Sequence, residues 1–201
     1  MSLYKPPLRV IAALLVVAVC LWPAAWVGQQ MLLHIVTMTL VAPAVVYALA
    51  GFGGAAHHNS GPGYLWAATA LQALLFLFWH TPYGMTVGMH SKGGELLLQG
   101  SLLLAACLFW WTLLRMHPDK AWHAILALLF TGKLFCLVAL LLTFAPRALY
   151  HAMPLEHQQF AGLIMITLCP LCYVASAVWL CWRWLKRIER DSLRLGSGLC
   201  G

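Results

Sequence analysis

The sequence predicts an all-α fold: a polytopic bundle of transmembrane helices with about six spans. The chain has 201 residues, of which 63% are hydrophobic and only 8% charged, whereas soluble domains carry roughly a quarter charged residues. The apolar residues also fall into runs of about 20, the length of helix that crosses a bilayer. We therefore expect a single transmembrane helical domain covering residues 1–201.

Six apolar runs, separated by polar or turn-rich segments, are the predicted spans. Residues 51–63 are rich in glycine, and residues 115–120 and 146–157 combine proline with charged side chains, which is typical of turns and loops. The break between the first two runs is the weakest, and we interpret it as a tight hairpin. The predicted spans are residues 8–27, 30–50, 64–82, 94–115, 121–145 and 158–183.

The basic residues predict the orientation of these spans. Of the 12 lysines and arginines, nine fall on the side shared by the two termini, two (Lys92 and Arg147) fall on the other side, and Lys133 lies within a span. Because lysine and arginine accumulate on the cytoplasmic side of membrane proteins, both termini are predicted to be cytoplasmic. The formal net charge of +7 is thus explained by topology in the lipid bilayer, and no nucleic-acid partner is expected.

Histidine and methionine side chains gather on the predicted outer side of the membrane. The stretch WHTPYGMTVGMH, residues 79–90, holds two of each. Earlier in the chain, Met31, His34 and Met38 stand at positions i, i+3 and i+7 and would share one face of the second span. Thioether and imidazole ligands together suit Cu(I). The candidate metal ligands are His34, His80, His90, His157, Met31, Met38, Met85 and Met89.

We expect His34 and His80 to approach a common point near the outer membrane face, with a methionine close by. Ordinary structural roles exist for each residue alone, because methionine fills gaps in cores and an intramembrane histidine can hydrogen-bond across helices. Glu95 and Gln99 begin the fourth span on the same side and could orient a ligand histidine. Lys133, near the centre of the fifth span, is expected to face the bundle interior, since a lipid-facing charge is costly.

Several segments of the chain resemble one known family. QQMLLHIVTMTLVAP, FLFWHTPYGM, LFWWTLL and HQQFAGLIMI, read in that order over residues 28–170, are similar to motifs of the multi-span CtaG family of cytochrome c oxidase assembly factors. The chain departs from the family pattern at two places. Gln30 stands where the family usually has histidine, and Glu95-Leu96 stands where the family often has a Glu-His pair. The seventh span common in the family is not found.

The resemblance implies a function as well as a fold. The chain is expected to be a non-enzymatic accessory or assembly factor for a haem–copper oxidase in a bacterial inner membrane. Its implied partners are cytochrome c oxidase subunits and its implied cargo is copper, held as Cu(I) at the periplasmic face. Two alternatives stay open: a permanent structural subunit of a respiratory complex, or a haem b cytochrome with His34 and His80 as a bis-histidine ligand pair.

Overall fold

The computed structural model describes residues 34–50, 61–150 and 153–198, and all regular elements within these ranges are helices. The first predicted span and residues 30–33 of the second lie outside the described residues. The helices are α1 (residues 34–50), α2 (Pro62–Trp79), α3 (Pro82–His90), α4 (Lys92–Leu114), α5 (Ala121–Thr143) and α6 (Leu155–Gly198), with a short 3-10 turn at Pro118–Lys120.

Four helices in the described part of the chain are long and apolar enough to cross a membrane. They are Pro62–Trp79, Lys92–Leu114, Ala121–Thr143 and Leu155–Ser192, and α1 contributes a shorter apolar segment, His34–Tyr47. They lie where the sequence placed the third to sixth spans. Large apolar side chains such as Leu74, Leu96 and Phe144 are exposed on the outside of the bundle, as contact with lipid requires. The chain is a helical membrane protein.

Neighbouring spans run antiparallel. On the α5–α6 pair, Gly132 packs against Tyr173, whereas Gly162 packs against Ala139 and Thr143. Trp79, at the end of α2, donates a hydrogen bond from its indole nitrogen to the hydroxyl of Ser101 in α4 at 2.9 Å. The end of α2, the start of α4, the end of α5 and the start of α6 therefore meet at one end of the bundle. We call this the His80 end.

A short helix at the His80 end corrects the expected structure of residues 82–93. These residues were predicted to form a loop, but Pro82–His90 is a helix, α3, that packs against α2 and α4. Thr81 caps it by accepting a hydrogen bond from the backbone N–H of Gly84 at 3.0 Å. Pro82 at the first helical position fits there because its missing N–H would have no intrahelical partner. The cap at Thr81 and the proline at residue 82 also end α2 at Trp79, whereas the third span was predicted to end at residue 82.

Helix α1 contains a π-helical turn at Thr37–Val41. Pro43 lies two residues after the end of this turn. A proline inside a helix lacks an N–H donor, and its ring crowds the carbonyl four residues earlier, here that of Thr39. The wider turn relieves this crowding, and the N–H of Ala42 bonds to the carbonyl of Thr37 instead. It also changes the α-helical spacing on which a shared face for His34 and Met38 was predicted.

Lys133 does not face the bundle interior, and the sequence-based prediction for it is wrong for the described residues. Its side chain is exposed, whereas Thr131, Gly132 and Phe135 turn inward. Small residues on that inward face let α6 approach closely, as is common between membrane helices. This packing fixes the rotation of α5 and leaves Lys133 on the outer surface, where a charge at mid-membrane costs about 3 kcal/mol on insertion scales.

Candidate metal site at the His80 end

His80 occupies the residue that follows α2, and its ring orientation is fixed by the backbone. Its Nδ1 lies 2.7 Å from the carbonyl oxygen of Phe76. A carbonyl can only accept, so Nδ1 carries the hydrogen and Nε2 keeps a lone pair. The Phe76 ring packs against the imidazole with 4.1 Å between ring centroids. This is the arrangement found in many metal-binding histidines, whose second nitrogen donates to a carbonyl.

His34 lies beside His80. Their ring centroids are 5.3 Å apart and the ring planes are inclined by 62°. The predicted approach of these two histidines from separate helices is therefore observed. His34 is only 5% exposed, and its Nε2 is buried without a hydrogen-bond partner among the described residues. A buried polar nitrogen is normally paired, so this atom is suited to a ligand.

A small cavity adjoins His34. It has a volume of about 20 Å³, and its walls come from α1, α3 and α4. Two thioethers, a carboxylate and an amide surround it together with His34. This volume accommodates one water-sized particle, and therefore also a single ion. The lining residues are His34, Met85, Gly88, Met89, Glu95, Leu98 and Gln99.

The spacing of the two rings fits one shared ion better than a haem. An imidazole bound to a metal through a bond of about 2 Å has its ring centre roughly 3 Å from the ion, so two rings on one tetrahedral ion lie roughly 5 Å apart. Axial ligands on opposite faces of a haem would be roughly 6 Å apart with the macrocycle between them. The observed 5.3 Å between His34 and His80 is closer to the spacing of two rings on one shared ion.

The other candidate ligands are distributed more widely. Met85 is buried and Met89 half-buried in the cavity wall. Met38 is buried in the core but does not line the cavity. His90 is exposed and borders a separate open depression, and His157 is exposed at the start of α6. Met31 lies outside the described residues.

The candidate site therefore rests on two imidazoles and nearby thioethers. Among the described residues, no group of three or more histidine, cysteine, aspartate or glutamate side chains is placed to hold a metal ion. Within the described ranges, the nearby candidates for a third donor are the methionine sulfurs of Met85 and Met89. This donor set favours Cu(I) over Mg²⁺, Ca²⁺ or Mn²⁺, which prefer oxygen ligands.

Tyr150 supports the site from the loop between α5 and α6, and sequence reasoning missed it. Its hydroxyl donates to the backbone carbonyl of His80 at 3.0 Å. Burial raises the pKa of the Tyr150 phenol, so the hydroxyl stays protonated and donates at neutral pH. Gln158 holds the same loop by accepting from the N–H of Leu149 at 2.7 Å and donating to the carbonyl of Leu142 at 3.3 Å. No spacing or motif pointed to the contact of Tyr150 with His80.

Comparison with known proteins identifies the family. The family model described as cytochrome c oxidase caa3 assembly factor (Caa3_CtaG) matches residues 1–187. No curated protein and no solved structure gives a significant match. The matched region includes α1 to α5 and most of α6, and with them the histidine pair and the cavity. The chain belongs to the cytochrome c oxidase caa3 assembly factor family.

Proposed function

We propose that the chain holds Cu(I) between His34 and His80 at the periplasmic face and supplies it to the oxidase during assembly. The observation that supports this most directly is the 5.3 Å approach of two imidazoles from separate helices. His80 presents Nε2 as an acceptor, and His34 has a buried, unpartnered Nε2. Metals bind histidine through a ring nitrogen of the neutral imidazole.

The remaining donors suit transfer of an ion rather than permanent storage. Met85 and Met89 supply soft thioether sulfurs beside His34, and Glu95 and Gln99 line the same cavity one helical turn apart. His80 is only partly buried. A site with few donors allows an incoming ligand to replace one donor at a time.

Copper content of the oxidase tests this function. We expect the oxidase purified from cells lacking the chain to contain less copper per haem than the oxidase from wild-type cells. The wild-type chain should restore copper, whereas His34→Ala and His80→Ala should not, because each removes one imidazole donor. His157→Ala is the matched control and should restore copper fully, since His157 is exposed and away from the cavity.

Other outcomes of that experiment separate the alternatives. An unchanged copper-to-haem ratio in the absence of the chain would exclude copper supply. If the amount of oxidase fell while its copper content stayed normal, the chain would assist assembly without handling copper. A permanent subunit would instead remain with the mature oxidase at a fixed ratio through stringent washing.

The orientation of the site is a separate prediction. The distribution of basic residues predicts that the His80 end faces the periplasm. A membrane-impermeant maleimide should label Tyr83→Cys, on the exposed surface of α3, in intact cells. Lys120→Cys, in the turn before α5, should be labelled only after the membrane is opened. Labelling of the parent chain gives the background from its own cysteines. The reverse labelling pattern would place the histidine pair on the cytoplasmic side.

A further inference from the structure

Lys133 places a positive charge in the middle of an exposed transmembrane surface. It lies 12 residues after Ala121 and 10 before Thr143, which corresponds to about 18 and 15 Å along the helix axis. Its four-carbon stem is too short to bring the ammonium to either end of α5. Large apolar side chains surround it on the same face, including Phe130 and Leu137, which are 53% and 57% exposed.

No acidic residue of this chain lies at the depth of Lys133. Tyr173 packs against Gly132 and therefore marks that depth on α6. Glu156 and Glu189 are 17 and 16 residues from Tyr173, or roughly 25 Å along the helix. The other acidic residues lie at helix ends or beyond the bundle. The full set of five is Glu95, Asp119, Glu156, Glu189 and Asp191.

The positions of these five acidic residues also exclude the rest of this protein as the source of a negative charge beside Lys133. Residues 1–33 and 51–60 contain no aspartate or glutamate. A second copy has no carboxylate at this depth either, and a symmetric contact through α5 would bring two lysines together. Intramembrane charges are normally paired or face a polar environment. Because no carboxylate of this chain lies at this depth, a carboxylate that pairs with Lys133 would belong to another protein.

We propose that α5 binds a transmembrane helix of a partner protein that carries an aspartate or glutamate near mid-membrane. The contact surface, which we call the Lys133 face, consists of Leu126, Phe130, Lys133, Leu137 and Leu140, which follow one another at helical spacing. The apolar members pack against the partner helix, while the ammonium and carboxylate neutralise each other in a medium of low dielectric constant. Replacing Lys133 by an acidic residue should therefore abolish binding of the partner helix.

Site-specific photo-crosslinking tests this surface in native membranes. A photoreactive side chain at Leu137 should crosslink to a partner segment, identified by mass spectrometry, that is apolar and contains a central Asp or Glu. We expect the yield to persist in Lys133→Arg and to fall about tenfold in Lys133→Glu and severalfold in Lys133→Met. Replacing the identified acidic residue by lysine should restore the crosslink to Lys133→Glu. The control position Leu104, exposed on α4, should give a yield that does not depend on residue 133.

Crosslinks from Leu137 only to lipid, to this chain or to a second copy would overturn the proposal, as would a yield unchanged in both Lys133→Met and Lys133→Glu. Lys133→Met decides the result if Lys133→Glu fails to fold, because methionine is well tolerated on a lipid-facing surface. Copper bound by Lys133→Met should equal that of the wild type, since Lys133 is remote from the cavity. Loss of the crosslink with copper retained thus separates this surface from the histidine site.

Discussion

His34→Ala and His80→Ala should each weaken Cu(I) binding to the purified chain by at least about tenfold. Loss of even an outer ligand partner typically costs 10- to 100-fold in metal affinity, and each of these changes removes a proposed direct donor. The effect should be similar for the two variants, because the rings lie 5.3 Å apart and would bind one ion together. Competition with a chromophoric Cu(I) chelator under anaerobic conditions measures the affinity.

Two matched variants make this result specific. His90→Ala and His157→Ala also remove an imidazole at the His80 end, but both side chains are exposed, whereas His34 is buried and His80 partly buried against it. We expect both to bind Cu(I) as the wild type does. Equal losses in all four variants would indicate dispersed surface binding, and no loss in His34→Ala or His80→Ala would exclude the pair as a copper site.

Gly162→Ala should destabilise the chain by forcing α5 and α6 apart. A Cβ at residue 162 would lie 2.5 Å from the hydroxyl oxygen of Thr143, 2.8 Å from its backbone nitrogen and 2.9 Å from the carbonyl oxygen of Ala139. Backbone atoms cannot rotate away as side chains can, so α5 and α6 must separate. Overpacking of this kind costs about 2 kcal/mol, which lowers the unfolding midpoint by about 4–8 °C.

Gly100→Ala is the control for helix propensity. A Cβ at Gly100 in α4 meets no atom within 4 Å, so alanine there should be neutral or slightly stabilising. Thermal unfolding in detergent, followed by circular dichroism, compares the two variants. The Gly162 variant should also bind Cu(I) less tightly, because the α5–α6 pair positions the loop from which Tyr150 bonds to His80. A Gly162→Ala midpoint equal to that of Gly100→Ala would contradict the close approach of the helices.

Composition and hydropathy predicted the helical class and the positions of the later spans, because the length of an apolar run is set by bilayer thickness. Helix α3 was missed although its start was visible in the sequence. Thr81 followed by Pro82 is a favourable cap and first-turn pair. The segment was predicted to be a loop because it lies between two predicted spans and is too short to be a span itself. Its packing against α2 and α4 stabilises the nine-residue helix.

The two histidines of the site could be predicted because depth is nearly a one-dimensional property in a membrane protein. His34 and His80 were placed near the same membrane face by span boundaries alone. Depth does not determine which way a side chain faces around the helix axis. Lys133 was expected inside because of its charge, but the close packing of Gly132 and Ala139 against α6 set the rotation of α5. The contact between Tyr150 and His80 joins residues far apart in the chain and left no local pattern.

X-ray absorption spectroscopy of the Cu(I)-loaded chain tests the central claim most directly. We predict two nitrogen neighbours at about 2 Å and at least one sulfur neighbour at roughly 2.3 Å, the usual lengths of metal bonds to imidazole and sulfur. His34→Ala should remove one nitrogen from the copper environment. A chain that retains no copper under reducing conditions, or whose copper spectrum is the same in the wild type and His34→Ala, would contradict a Cu(I) site between His34 and His80.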